Sequence, residues 1–162
     1  MNWTAYFKNV TIIGSRYLII ASVAFLIWYV LFRRTILAQI IQQRFPKLTD
    51  YAREIGFSII TVFIMAFIPS MVLGDPGIAK HTKFYMDVSE HGKLYFFLAF
   101  PLMAFMHDTY FYWMHRLMHH PAIFKIVHLI HHKSINPSPF AAYAFHPLEA
   151  IAEAGIFIVF VY

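Results

Sequence analysis

Three stretches of this chain contain neither a charged residue nor a histidine: YLIIASVAFLIWYVLF (Tyr17–Phe32), GFSIITVFIMAFIPSMVLG (Gly56–Gly74) and LYFFLAFPLMAFM (Leu94–Met106). A helix on the surface of a soluble domain returns to polar residues every few positions, and these runs do not. In lipid, a lone segment satisfies its own N–H and C=O groups only as a helix, so each run predicts a helix placed in a bilayer. The first run has sixteen residues. That is short of the roughly 20 that span a membrane, but Arg16 and Arg33 at its ends can snorkel to the headgroups. An arginine pair follows it where a signal peptide would show small residues, so it reads as a retained anchor. Pro69 lies inside the second run, where a membrane helix tolerates it as a kink. The third run passes without a breaker into HDTYFYWMHRLMHH, predicting one long helix that starts in lipid and emerges bearing histidines. A fourth apolar run extends from about Ala150 to Tyr162.

Composition agrees. Of 162 residues, 60% are hydrophobic and 13% charged, against roughly a quarter charged in a soluble domain. The length allows one domain, residues 1–162. The fold class expected is all-α, a polytopic membrane bundle with a histidine-rich helical cap on its cytoplasmic side. The net charge of +5 does not point to nucleic acid, because the cations flank the apolar runs and no basic aromatic surface lies elsewhere. Arg33, Arg34, Arg44, Lys47 and Arg53 place the 33–55 connection in the cytoplasm, and the 75–93 connection then lies outside. Helix three returns inward, bringing its histidines to the cytoplasmic side. There is no cysteine, which removes disulfides, thiolate metal sites and thiol nucleophiles.

Seven of the ten histidines fall within residues 107–134. On a helix, Asp108, Tyr112, His115 and His119 stand at i, i+4, i+7 and i+11 and share a face. His115 and His119 therefore form a two-ligand clamp, and Asp108 is placed to orient a ligand imidazole. Pro121 breaks the helix. Beyond it His128, His131 and His132 stand at i, i+3 and i+4, again on one face. Five charged imidazoles would repel one another, so the set makes sense as neutral nitrogens around metal. Nitrogen ligation without thiolates or clustered carboxylates suits iron, zinc or copper, and five ligands exceed one tetrahedral zinc. Arg116 points off the stripe, toward a headgroup or a carboxylate. His146 has two readings: it lines the site beside Glu149, or it caps a helix starting at Pro147. His107 and His120 flank the stripe on other faces. Runs 17–32, 56–74 and 94–106 contain no charged residue or histidine, which argues against metal transport and leaves a non-catalytic structural zinc site as the rival to an enzyme.

The motifs HDTYFYWMHRLMHH, HLIHHKS and NPSPFAAYAFHPLEA resemble those of the fatty acid hydroxylase/sterol desaturase superfamily. Its H-x3-H box falls on His115 and His119, with Asp108, Tyr112, Trp113 and Arg116 as context, and its H-x2-H-H box falls on His128, His131 and His132. The N-P-x-P and F-H-P-x-E segments match from Asn136 to Glu149. The resemblance implies a membrane-bound, dioxygen-dependent oxidoreductase that hydroxylates or desaturates a C–H bond of a sterol, fatty acyl chain or similar lipid. It implies two iron ions as cofactor (zinc being possible as the bound metal), and catalytic-site roles for Asp108, Tyr112, Arg116 and His146. It further implies electrons from reduced nicotinamide through a small carrier protein, and a home in the endoplasmic reticulum or a bacterial inner membrane. Family members carry a further H-x2-H-H box that is absent up to Tyr162. A fragment, or an incomplete and inactive site, is therefore expected.

Overall fold

The computed structural model describes residues 2–162. Among these residues the secondary structure is entirely helical. Helix α1 (Trp3–Phe25) continues without interruption through a π-helical segment, Leu26–Leu31. There the Phe32 N–H bonds to the Ile27 carbonyl at 2.8 Å, the wider i→i+5 spacing of a π-turn. The helix thus begins fourteen residues before the uncharged run. Lys8 and Arg16 limit the apolar run but do not limit the helix. Its start is set by Asn2, whose side-chain oxygen accepts the Ala5 N–H.

The expected 33–55 connection is partly helical. It holds α2 (Arg33–Gln39) and the first two turns of α3 (Leu48–Gly74), which opens where Asp50 accepts the Lys47 N–H at 3.0 Å. A short α4 (Pro76–Ala79) follows, then α5 (Gly92–Met118), a single 27-residue helix with Pro101 inside. Two small helices, α6 (Pro121–Val127) and α7 (Leu129–His132), carry the second histidine group, and α8 (Pro147–Ala154) and α9 (Ile156–Val161) complete the described chain. Trp3–Leu31 and Leu48–Gly74 are each long and apolar enough to cross a membrane. In α5 the uncharged part is only thirteen residues, short of the roughly 20 a span needs. Its apolar side chains are exposed almost throughout, and Met118 alone is buried.

Helix α3 is the centre of the molecule. It packs on α1, where Val62 lies against Gly14, a small residue that lets backbones approach when lipid gives no hydrophobic drive for association. Asn9 donates to Ser70 Oγ across the pair at 2.9 Å. The connector that follows α7, ending in a short 3-10 turn at Pro139–Tyr143, also packs on α3. Tyr17 and Ser58 both donate to the Phe140 carbonyl at 2.9 Å, and Tyr29 donates to the Pro137 carbonyl at 3.2 Å. Ser138 donates through both its N–H and its hydroxyl to one oxygen of Glu54, which is 0% exposed. The connector is irregular backbone between apolar helices, and such backbone persists only where polar partners meet it. These side chains are those partners.

Candidate metal centre

His115 sits in the last turn of α5 and His119 caps its C-terminus, so the i, i+4 relation is local and their Nε2 atoms lie 3.1 Å apart. Two nitrogens held by one ion through bonds of about 2.1 Å would be about 3.0 Å apart at a right angle and about 3.4 Å apart in a tetrahedron. The observed spacing lies between these values. Pro121 starts α6 with its ring at a position that needs no N–H, and His120 caps that helix by accepting the Ala122 N–H. The resulting turn folds α6 and α7 back beside the end of α5. His128, at the joint between α6 and α7, is thereby placed 4.6 Å from His115 and 4.8 Å from His119, ring centre to ring centre. His132 lies 4.9 Å from His119 and 4.7 Å from His128. One nitrogen from each of His115, His119 and His128 falls within 4.8 Å of the others.

His128 is the inner member, with no exposed surface. Its Nδ1 meets Glu149 Oε1 at 2.8 Å, while its Nε2 is buried without a hydrogen-bond partner. A buried polar atom left unpaired is costly, and here its ring has three other imidazoles with centres within 4.8 Å. The arrangement suits a metal on Nε2 with Nδ1–H donating to a carboxylate. In that state the proton sits on Nδ1 and Glu149 is ionised. With the proton on Nε2 instead, the nitrogen would have no lone pair to give. Glu149 comes from the first turn of α8, where its other oxygen accepts the His146 N–H at 3.4 Å.

The remaining expected residues are placed as follows. His131 stacks on His128 at 5.3 Å and on Phe145 at 5.5 Å, at the edge of the group. Asp108 shares the helix face but lies two turns from His115; it is highly exposed and pairs with His107 at 3.1 Å, not with a clustered histidine. Seven residues of helix rise about 10.5 Å, too far for one carboxylate to reach the ring. Tyr112 accepts from Arg116 at 2.9 Å, and the guanidinium lies 5.6 Å from the Trp113 ring centre. His146 caps α8, its Nδ1 accepting the Leu148 N–H. The carboxylate on a clustered imidazole is Glu149, 21 residues along the chain from His128. The F-H-P-x-E segment was its only sequence signal, and nothing in it named the partner.

Burial, reinforced by the neighbouring imidazoles, lowers the His115 and His131 pKa values and takes His128 down to about 3. A histidine depressed in the folded state contributes stability above its unfolded value near 6.5, and loses it as pH falls through the folded value. In metal-free protein this loss is expected to emerge below about pH 4.5 and to run toward pH 3, where His128 becomes charged. Unfolding followed in detergent with a chelator at about pH 5, 4.5, 4 and 3.5 checks this; a flat profile over that range would contradict it. Burial raises Glu149 to about 8 and Glu153 to about 7, so their contribution is complete below the ordinary carboxyl value and is lost as pH rises from there through 7 and 8, opposing the histidine trend in the mildly acidic range.

Fold and site together define a helical membrane protein with a cluster of imidazoles where α5, α6 and α7 meet. Residues 100–162 match the fatty acid hydroxylase family model. The chain belongs to the fatty acid hydroxylase/sterol desaturase superfamily. It is 42% identical over 82 residues to a Delta(7)-sterol 5(6)-desaturase of Gibberella zeae, covering 51% of this chain and 25% of that protein. It is 34% identical over 116 residues to a Delta(7)-sterol 5(6)-desaturase of Leptosphaeria maculans, covering 70% and 31%. To the lathosterol oxidase of Mus musculus it is 30% identical over 105 residues, covering 64% and 35%. The chain thus spans about a quarter to a third of the length of these three relatives. No solved structure gives a significant match.

Proposed function

We propose that this chain supplies the first two histidine boxes of a membrane-bound, dioxygen-dependent oxidoreductase with a non-haem iron pair, acting on a C–H bond of a sterol-like lipid. The observation that carries the reading is the convergence of His115, His119, His128 and His132, with the Nε2 of His128 buried and unpartnered. Iron bound there would supply the redox chemistry that lets dioxygen attack an unactivated C–H bond. His115, His119 and His128 would hold one ion, and His131 and His132 offer further nitrogen donors. Glu149 keeps the His128 ring oriented and its Nδ1 protonated. A hollow of about 270 Å³ lined by Asp108, Phe111, Tyr112, His115 and Arg116 opens beside His115 on the flank of α5. A lipid carbon would approach along that flank from the bilayer.

Electrons would come from reduced nicotinamide through a small carrier protein on the cytoplasmic side. The side assignment is supported by Arg53 and Gln42, which bond to the segment just after His132 and so share one end of the bundle with it. The names of the relatives support a sterol-like substrate and desaturation; hydroxylation uses the same ligands.

The test is iron content and oxygen-dependent product formation for a full-length protein that carries this chain together with the further histidine box, wild type against His128→Ala, His131→Ala and His132→Ala. Loss of iron and product in these variants is expected. Iron and product retained in all three would overturn the reading. Tight zinc with no oxygen uptake would replace it with a structural metal site.

A further inference from the structure

Just past the second histidine group, at the end of the bundle where α3 begins, lies a cavity of about 270 Å³ lined by Arg44, Lys47, Arg53, Lys133, Asp50 and Ile135 among others. Its walls are two loops tied together. Gln42 donates to the Ile135 carbonyl at 3.1 Å, Asn136 donates to the Arg44 carbonyl, and Arg53 donates to Ser134 Oγ at 3.3 Å. The shape is therefore held by hydrogen bonds on both sides rather than by loose surface chains.

The charge is lopsided. Four cationic side chains face one carboxylate, and that carboxylate is already committed: Asp50 binds Arg53 at 2.8 Å and the Lys47 N–H at 3.0 Å. Among the described residues, Arg44, Lys47 and Lys133 have no carboxylate within ion-pair distance. Like charges gathered in a concave, partly apolar site raise the local concentration of anions. Around the same cavity stand three aliphatic side chains directed away from the protein: Ile41 is 93% exposed, Leu48 86% and Ile135 76%. They lie where α3 becomes a membrane span. A cationic hollow edged by exposed aliphatic residues at a membrane boundary fits a ligand with an anionic head and an apolar tail. The volume admits a headgroup and excludes a protein segment.

We propose that this cavity is a binding site for the phosphate of an anionic phospholipid headgroup, with the acyl chains lying against Ile41, Leu48 and Ile135. Lys133 and Ser134 in its wall directly follow His131 and His132. A bound lipid would thus brace the segment that ends the second histidine group. The inference stands on the pocket and the membrane setting, independently of any metal chemistry.

The experiment measures binding of short-chain phosphatidylglycerol, short-chain phosphatidylcholine and inorganic phosphate to the delipidated full chain in neutral detergent. Phosphatidylglycerol is expected to bind well above phosphatidylcholine, and more weakly as salt rises. Changing Arg44→Gln, Lys47→Gln and Lys133→Gln together is expected to weaken it roughly a hundredfold, and each singly about fivefold. Arg53 is kept because it ties the loops. Neutralising Lys80, Lys83 and Lys93 instead is expected to leave binding unchanged. Ile135→Ser is expected to weaken the lipid and not inorganic phosphate. Equal binding of both lipids, equal loss in the two triple variants, or binding of inorganic phosphate without the lipid would each overturn the proposal.

Discussion

Glu149→Gln is expected to weaken metal binding by about 10- to 100-fold while leaving the helical content intact. The carboxylate meets His128 Nδ1 at 2.8 Å in a site closed to solvent on both sides. Glutamine keeps an oxygen there, and so keeps the ring in position and part of the α8 cap. It loses the negative charge that raises the basicity of the imidazole and fixes its proton on Nδ1. Zinc or iron titration of the purified variant gives the number. The comparison that makes it specific is Glu153→Gln, one turn further along the same helix and also buried, with no hydrogen bond to a histidine among the described residues. Equal loss in both variants would mean that any change in α8 disturbs the cluster, and that Glu149 has no special hold on His128.

The second large effect belongs to the Glu54–Ser138 pair. Ser138→Ala removes the hydroxyl donor from a fully buried carboxyl group whose other oxygen already has no partner. A cost of about 2–3 kcal/mol is expected, since the group left behind keeps its desolvation penalty without the bond that offset it. Glu54→Ala on its own is expected to cost at least as much, by adding a cavity to two stranded Ser138 donors. The double variant is expected to fall short of the sum, because each change already breaks the shared bond. Thermal or denaturant unfolding in detergent measures the cycle. Strict additivity would show that the pair does not hold the connector. The connector joins His132 to Glu149, so metal affinity is expected to drop alongside stability. Ser70→Ala is the control: Ser70 is equally buried on α3, but its hydroxyl bonds to Ala66 and Asn9 and not to the connector.

Uncharged runs and imidazole spacing were legible because each is a local constraint. Lipid forbids an unpaired backbone or a stray charge over a helix length, so Tyr17–Phe32 and Gly56–Gly74 announce themselves whatever surrounds them. His115 and His119 meet because an α-helix of any sequence puts i and i+4 together. The stripe did not reveal the carboxylate that meets His128, since a helix stripe records a shared face but not a shared height. Asp108 shares the face and stands about 10.5 Å along it from His115.

Tertiary structure alone decided the pairings between distant segments. Glu149 reaches His128 across 21 residues, and Glu54 reaches Ser138 across 84. No periodicity encodes contacts of that kind, because they depend on the turn at Pro121 and on how the connector seats against α1 and α3. Hence the sequence by itself determined that this is an all-helical membrane chain with imidazoles at ligand spacing. Only the packed fold brought the two histidine groups onto one point, buried His128 and left its Nε2 without a partner. Local geometry follows from helix pitch, whereas convergence requires buried polar groups to find partners that the chain delivers from far away.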